Sequence, residues 1–128
     1  MPNESRIQSY RDLRVWQQAM SLAVLSYRLT QDFPREETFG LSARIRRAAT
    51  SIPANIAEGQ GRENTQSFIQ YLRIAQGSLK ELETHLMLAD RVGLVRENGS
   101  QELIGQCEAL GKMLRMLIRS LQQKSGQR

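Results

Sequence analysis

Cysteine and histidine are almost absent from this 128-residue chain, which has one of each, Cys107 and His85. A single cysteine excludes an intramolecular disulfide and a zinc site built from several cysteines. A di-metal carboxylate site needs two Glu-x-x-His motifs, and the residue three positions before His85 is Leu82 rather than an acid. The full glycine pattern of a nucleotide-binding loop is also missing. We therefore expect no catalytic residue, no metal and no cofactor, and predict that the protein is not an enzyme.

Aromatic residues make up only 5% of the chain, prolines number three, and no apolar run is long enough to cross a membrane. A hydrophobic content of 40% with so few aromatics is typical of an all-helical soluble protein. Residues 1–9 lack the apolar segment of a signal peptide, which predicts a cytoplasmic protein with no membrane partner. The length suits one domain at residues 10–121, between a flexible lead-in (1–9) and a flexible tail (122–128).

Acidic residues are outnumbered 13 to 18 by basic ones, giving a net charge of +5 and a pI near 10.0. All but three of the basic residues are arginine, whose guanidinium binds phosphate through two parallel hydrogen bonds. We predict that one group of six contacts RNA or DNA phosphates: Arg44, Arg46, Arg47, Lys112, Arg115 and Arg119. No aromatic residues alternate with them, so base stacking is not expected. The alternative is an ordinary solvated helix face.

The segment from Arg44 to Gly59 has apolar residues at helical spacing, which predicts a helix buried on one side. Pro53 lies inside this pattern and cannot donate a helical hydrogen bond. Either the helix kinks there, or it restarts with Ser51 as its N-cap. The kink is favoured because the apolar pattern continues through Ile56. Gly59 is expected to end the helix in a left-handed conformation.

Polar residues follow one border of that apolar face at helical spacing, among them Ser51, Asn55 and Glu58. One interpretation is a solvated edge at which Ser51 or Asn55 satisfies the carbonyl freed by Pro53. The other is a polar network at a helix–helix or subunit contact, where it would fix the register.

Three further helices are indicated by apolar periodicity. In the first, the periodic residues are Leu13, Trp16, Met20, Ala23, Val24 and Tyr27. The third and fourth have a heptad repeat, formed by Phe68, Leu72, Ala75, Leu79, Leu82, Leu86 and Ala89, and by Leu103, Cys107, Leu110, Leu114, Leu117 and Leu121. Heptads and short connections predict an all-α, antiparallel, up-down-up-down four-helix bundle, with Trp16 and Cys107 as core residues.

Apolar residues outside these repeats exceed what one bundle needs. They lie with one histidine on the third and fourth helices: Ile74, His85, Leu88, Val92, Ile104 and Ile118. Surplus apolar surface is usually buried against another copy, so we predict a homo-oligomer with these residues at its interface.

Several segments form recognisable motifs: Asp12-Leu13-x-Val15-Trp16, Phe33-Pro34, Phe39-Gly40-Leu41, Arg46-Arg47-Ala48-Ala49, Ser51-Ile52-Pro53-Ala54-Asn55-Ile56-Ala57-Glu58-Gly59 and Ile74-Ala75-x-Gly77-Ser78-Leu79-x-Glu81-Leu82. They resemble the bacterial four helix bundle protein family, also called the 23S rRNA intervening-sequence protein family. The resemblance covers nearly the whole chain from about Tyr10. It implies a homopentameric ring with a central channel. Similar proteins are accessory factors of diversity-generating retroelements, in which a basic pentamer binds nucleic acid and a reverse transcriptase.

Two functions follow as alternatives. The first is a pentameric scaffold whose basic surface binds RNA or DNA, as an accessory to a ribonucleoprotein or a reverse transcriptase. The second is a protein-interaction scaffold that binds no nucleic acid.

Overall fold

The computed structural model describes residues 9–126, which contain four α-helices and no strand. The helices are α1 (Arg14–Thr30), α2 (Leu41–Gly61), α3 (Thr65–Arg91) and α4 (Gln101–Gly126). Single 3-10 turns at Tyr10–Asp12 and Arg35–Glu37 precede α1 and α2. The prediction of an all-α protein with four helices is confirmed. No helix in the described part combines the length and apolar character needed to cross a bilayer.

The predicted lead-in and tail fall largely at the edges of the described residues. Residues 1–8 and 127–128 lie outside them. Ser9 begins the described part and closes a capping box with Asp12 on the first 3-10 turn, whereas α1 starts later, at Arg14. Residues 122–126, assigned to the tail, continue α4.

Each helix packs against two others. Helix α2 contacts α1 and α3, and α4 contacts the same two helices. Among the described residues the diagonal pairs, α1 with α3 and α2 with α4, do not touch. The core therefore lies between four helices, and the outer faces of α2 and α4 point in different directions.

The heptads of α3 and α4 face this core as predicted, except at the start of α3, where Phe68 is only partly buried, and near the end of α4. Leu72 to Ala89 on α3 and Leu103 to Leu114 on α4 are buried at the repeat positions. Further along α4, Ile118 is buried, whereas Leu117 and Leu121 are only partly buried. An α-helix drifts by about 20° per heptad from a strict 3.5-residue repeat, so the core-facing position moves on by one residue after two heptads.

The prediction for α1 is only partly right: Leu13 and Ala23 are buried, but the large residues further along the same pattern are not. Of the predicted apolar residues, Met20, Val24 and Tyr27 are each at least 40% exposed. The core-facing positions include two polar residues, Ser26 and Thr30. The Ser26 hydroxyl donates to the carbonyl of Leu22 at 2.9 Å, and that of Thr30 to the carbonyl of Ser26 at 3.0 Å. Because backbone carbonyls satisfy these hydroxyls, they can be buried, and a pattern based on large apolar residues selects the other face.

The prediction for Gly59 is also wrong. Helix α2 continues to Gly61, and the residue with positive φ in the connection is Glu63, at 56°. Gly59 is helical and buried, and a Cβ placed on it would lie 2.6 Å from Cβ of Tyr71 on α3. This glycine is needed for the close approach of two helices rather than for a turn.

Pro53 lies within one continuous helix and is buried. A restart at Ser51 is therefore wrong, and the kink stays a prediction. Asn64 begins α3 as expected, because its side-chain oxygen accepts a hydrogen bond from the backbone N–H of Ser67 at 2.9 Å. Ser100 precedes α4, but its buried hydroxyl donates to the carboxylate of Asp90 on α3.

Substituting Gly59 should test the close approach of α2 and α3. We expect Gly59→Ala to lower the free energy of unfolding by about 1–3 kcal/mol, because the added methyl group forces the helices apart. Gly77→Ala is the matched control: Gly77 is an exposed residue within α3, and a Cβ there meets no atom within 4 Å. The control should gain up to about 1 kcal/mol from helix propensity. Urea unfolding measures both, and equal stabilities would contradict the explanation.

Candidate functional site

The polar edge of α2 packs against α3. The Ser51 and Ser78 hydroxyl oxygens are 2.8 Å apart and share a hydrogen bond. The Asn55 side-chain amide donates to the backbone carbonyl of Ser51 at 2.8 Å and to its hydroxyl at 3.0 Å. All three residues are partly buried. The Ser51–Ser78 bond joins α2 to α3, and the bonds from Asn55 hold Ser51 from within α2.

Glu58 extends this contact toward the connection between α2 and α3. Arg62 donates one hydrogen bond to the Glu58 carboxylate at 2.9 Å and another to the Tyr71 hydroxyl at 2.7 Å. The Tyr71 hydroxyl donates to the same carboxylate at 3.3 Å. The hydrogen bond that Arg62 donates to Glu58 raises the pKa of Arg62 above its ordinary value. Arg62 is thus engaged within the chain, although its side chain is half exposed.

The six predicted phosphate-binding residues lie on two separate surfaces. Arg44 and Arg47 are exposed on α2, and Lys112, Arg115 and Arg119 are exposed on α4. Because α2 and α4 are diagonal, one copy of the chain does not present them together. We call the three α4 residues the α4 stripe.

Arg46, the sixth residue, is partly buried between α1 and α2. Its Nε donates to the Thr30 hydroxyl at 2.7 Å, and its guanidinium carbon lies 4.5 Å from the centre of the Tyr27 ring. These contacts hold α1 to α2 and restrict the movement of Arg46 toward a ligand.

Lys80 of α3 lies beside the α4 stripe, which the sequence pattern did not indicate. A shallow groove of about 300 Å³ lies between the two helices here, and its lining includes Lys80, Arg115 and the small residues Gly77 and Gly111. The ammonium of Lys80 is also 3.0 Å from the buried carboxylate of Glu83. A cation from α3 thereby adds to the positive charge of α4, although it is partly neutralised.

The six predicted interface residues differ in exposure. Ile74 and Leu88 are 45% exposed on one face of α3, and Val92, the residue directly after α3, is 59% exposed. We call these three residues the α3 strip. Ile104 is partly buried against the core. Ile118 is 4% exposed and belongs to the core. Including Ile118 in the interface is therefore wrong, for the reason given above for the end of α4.

His85 lies between the exposed members of the α3 strip, and its side chain is 16% exposed. Its Nε2 atom is buried and makes no hydrogen bond, and the nearest carboxylate oxygen, of Glu81, is 3.5 Å away.

A groove between α1 and α2 was not predicted as a site from the sequence. Its volume is about 610 Å³. We call it the α1–α2 groove; its lining residues are Tyr10, Trp16, Met20, Ala23, Val24, Tyr27, Arg28, Gln31, Thr50, Pro53, Ala54 and Ala57. The signal for it was the apolar period of α1, which had been assigned to the core. Trp16, predicted as a core residue, packs partly on the core and partly lines this groove.

Cys107 is buried in the core, as predicted from its heptad position. Burial, together with the nearby negative charge of Glu83, raises the pKa of the Cys107 thiol to about 12. The thiolate is the nucleophilic form of cysteine, so this side chain is poorly suited to react at neutral pH. Within residues 9–126 no three His, Cys, Asp or Glu side chains are grouped so that they could hold a metal ion.

The chain is similar to known proteins over most of its length. A family model described as 23S rRNA-intervening sequence protein matches residues 11–116. A crystal structure at 1.70 Å of a protein of unknown function from the S23 ribosomal protein family of Bacteroides thetaiotaomicron has a similar fold, with a TM-score of 0.73 and 26% identity. That match covers 81% of this chain and 97% of the other. No curated protein matches. The resemblance recognised from the motifs is confirmed.

The pKa of Cys107 predicts a specific pH dependence of stability. Its pKa is raised from 9.0 to about 12 in the folded state, so unfolding at intermediate pH releases a proton. The free energy of unfolding should then fall with rising pH above about 9, by up to ~1.4 kcal/mol per pH unit. The free energy of unfolding of Cys107→Ala should lack the fall above about pH 9 that is due to Cys107. Below pH 8 it should vary with pH in the same way as that of the wild type. Urea unfolding from pH 7 to 10.5 measures both, and equal slopes above pH 9 would contradict the burial argument.

Proposed function

Because the chain belongs to the 23S rRNA-intervening sequence protein family, we propose that it is a non-enzymatic scaffold that assembles with copies of itself and binds RNA or DNA phosphates. One observation carries the proposal: an apolar surface and a basic surface are both exposed, and they lie on neighbouring helices. The α3 strip supplies the first and the α4 stripe the second. The proposal includes an up-down-up-down order, because connections of ten, three and nine residues (31–40, 62–64 and 92–100) favour antiparallel neighbours.

Self-assembly is supported by the α3 strip. Three large aliphatic side chains remain about half exposed, two on one face of α3 and one at its C-cap. Burying such surface is favourable by roughly 25 cal/mol per Å², and a contiguous apolar patch usually marks a contact with another protein. The partly buried His85 and Ile104 would lie at the edge of that contact. The family resemblance implies five copies in a ring.

Phosphate binding is supported by the α4 stripe. Lys112, Arg115 and Arg119 succeed one another at helical spacing on the solvent face of α4. Arginine binds phosphate oxygens through two hydrogen bonds, and such contacts carry little sequence information. One stripe of three cations binds weakly, but a ring repeats it in every copy, so that several weak contacts act together. The exposed pair Arg44 and Arg47 would add a second basic surface on α2.

A second candidate function, a protein-interaction scaffold without nucleic acid, is favoured by the α1–α2 groove. This groove is apolar and lies on the side of α2 away from the α3 contact, so neither the α3 strip nor the α4 stripe occupies it. A reverse transcriptase is the protein partner that the resemblance implies.

Charged substitutions in the α3 strip should break the assembly. We expect the wild type to have a mass several times 14.6 kDa by light scattering, near five times if it forms the implied ring. The double variant Leu88→Asp/Val92→Asp should shift toward the mass of one chain, because two carboxylates would be buried at the contact. Met116→Asp is the control, since Met116 is 69% exposed on α4 outside the strip. A wild-type mass of one chain at micromolar concentration would contradict self-assembly.

Neutralising the α4 stripe should weaken binding to RNA. We expect retention of mixed RNA to fall steeply with salt, and the variant with Lys112, Arg115 and Arg119 changed to Gln to lose affinity. The slope of log affinity against log salt should decrease by about two to three, since each phosphate contact contributes roughly 0.7–0.9.

The matched control removes the same charge elsewhere, by changing the exposed residues Arg35, Arg91 and Arg96 to Gln. It should keep most of the wild-type salt dependence. Equal losses in both variants would show a nonspecific effect of net charge, and no retention of RNA at low salt would favour the protein-interaction scaffold.

A further inference from the structure

The α1–α2 groove has the length and shape to hold a helix. It extends along α1 from Trp16 to Gln31, a rise of about 22 Å or four helical turns. The α1 side carries large side chains, whereas the α2 side is formed by Pro53, Ala54 and Ala57. Small residues on one wall leave a trough beside the large residues of the other. Peptide helices bind such grooves through apolar residues repeated every three to four positions.

Much of the apolar surface in the groove is exposed, although Arg46 lies over the Tyr27 ring. Met20, Val24 and Tyr27 are 40–44% exposed. A buried residue follows each of them within three positions, on the opposite, core-facing side of α1. Trp16 lies against Tyr10 at the other end, with the two ring centres 5.3 Å apart in an edge-to-face arrangement. Large aromatic and aliphatic residues concentrated in one groove are typical of the centre of a protein–protein contact.

Positive charge lies at both ends of the groove. At one end the Arg11 guanidinium is 5.2 Å from the centre of the Tyr10 ring, and at the other Arg46 lies over Tyr27 while Arg28 lines the groove itself. Helix α1 contains no acidic residue, and the acid of α2, Glu58, is bonded to Arg62. Two acids adjoin the ends of α1 without lining the groove: Asp12 accepts a hydrogen bond from the backbone N–H of Ser9, and Asp32 lines a different groove. A bound helix with carboxylates beside its apolar face would therefore meet opposite charges at both ends.

The α3 strip of a second copy of this chain fits the groove poorly. The α3 strip shares its helix with the exposed cations Arg73 and Arg91, which would face the arginines of the groove. Two of the three acids on α3 are already engaged, Glu83 with Lys80 and Asp90 with Ser100. The like charges would oppose docking.

We propose that the α1–α2 groove binds an amphipathic helix of a different protein, one whose apolar face is flanked by Asp or Glu. This assigns a separate surface to a protein partner and leaves the α3 strip for self-assembly and the α4 stripe for phosphates. The three surfaces can then be tested independently.

Trp16 provides a direct measurement, because it is the one tryptophan of the chain and lines the groove. The probe is a designed 18-residue helical peptide without tryptophan, with leucines at positions i, i+4, i+7 and i+11 and glutamates beside them. A second peptide has lysine in place of every glutamate. We expect the glutamate peptide to change Trp16 emission saturably and to bind at least roughly tenfold more tightly than the lysine peptide.

Two variants test the location of the site. Ala54→Leu fills the trough and should weaken binding of the glutamate peptide by roughly tenfold, whereas Ala109→Leu, the same change at an exposed position of α4, should leave it unchanged. Arg28→Gln replaces one exposed charge and should weaken only the glutamate peptide. This variant keeps the test valid if Ala54→Leu fails to fold.

Three results would overturn the proposal. The first is no saturable change in Trp16 emission, and the second is equal affinity for the two peptides. The third is a lower mass of Ala54→Leu without peptide, which would show that a second copy occupies the groove. A wild type that has the mass of one chain, or that retains no RNA at low salt, would overturn the proposed function and leave the peptide result unaffected.

Discussion

The close approach of α2 and α3 is the constraint on which the other features of the structure depend. Gly59 allows it, because a Cβ at this position would overlap Tyr71 of α3. Once the helices are this close, the Ser51 and Ser78 hydroxyls are within hydrogen-bond distance, and Asn55 bonds back to Ser51. Small and polar residues therefore set the contact, which helps to explain how a helix with proline in its interior can have a defined position.

The packing of one side of α2 against α3 determines which residues of α2 face α1. Pro53, Ala54 and Ala57 are thereby directed toward α1, where their small size leaves the groove open. Helix α1 accommodates this by placing Ser26 and Thr30 in the core, with their hydroxyls bonded to carbonyls one turn earlier. The large residues of α1 are left at the surface. The groove thus has two causes. The residues of α2 that line it are small, and the buried polar residues of α1 form hydrogen bonds within their own helix.

The apolar periodicity of the sequence predicted features that depend on a single helix. It missed features that depend on the packing of two helices. The heptads of α3 and the first half of α4 identified the core correctly, because their large residues have no second apolar face of similar strength. On α1 two faces competed, and the hydrogen bonds that allow Ser26 to be buried are not visible in a hydropathy pattern. Gly59 was read as a helix end because the requirement for a missing Cβ comes from Tyr71, on another helix. The basic residues were predicted as one group, but their division between diagonal helices is a property of the packing.

The division of surfaces follows from the same geometry and bears on how the chain can act. Arg46 is drawn into the α1–α2 contact by Thr30 and Tyr27, so the basic charge available on α2 is smaller than its sequence implies. On α4 the cations have no such partner helix on their outer side, and Lys80 reaches toward them from α3. A fold with four exposed outer faces can separate phosphate contacts, self-association and partner binding without any of them sharing residues. Under the proposed function, such separation would let one small scaffold hold a nucleic acid and a protein together, since occupying one face would not block the others.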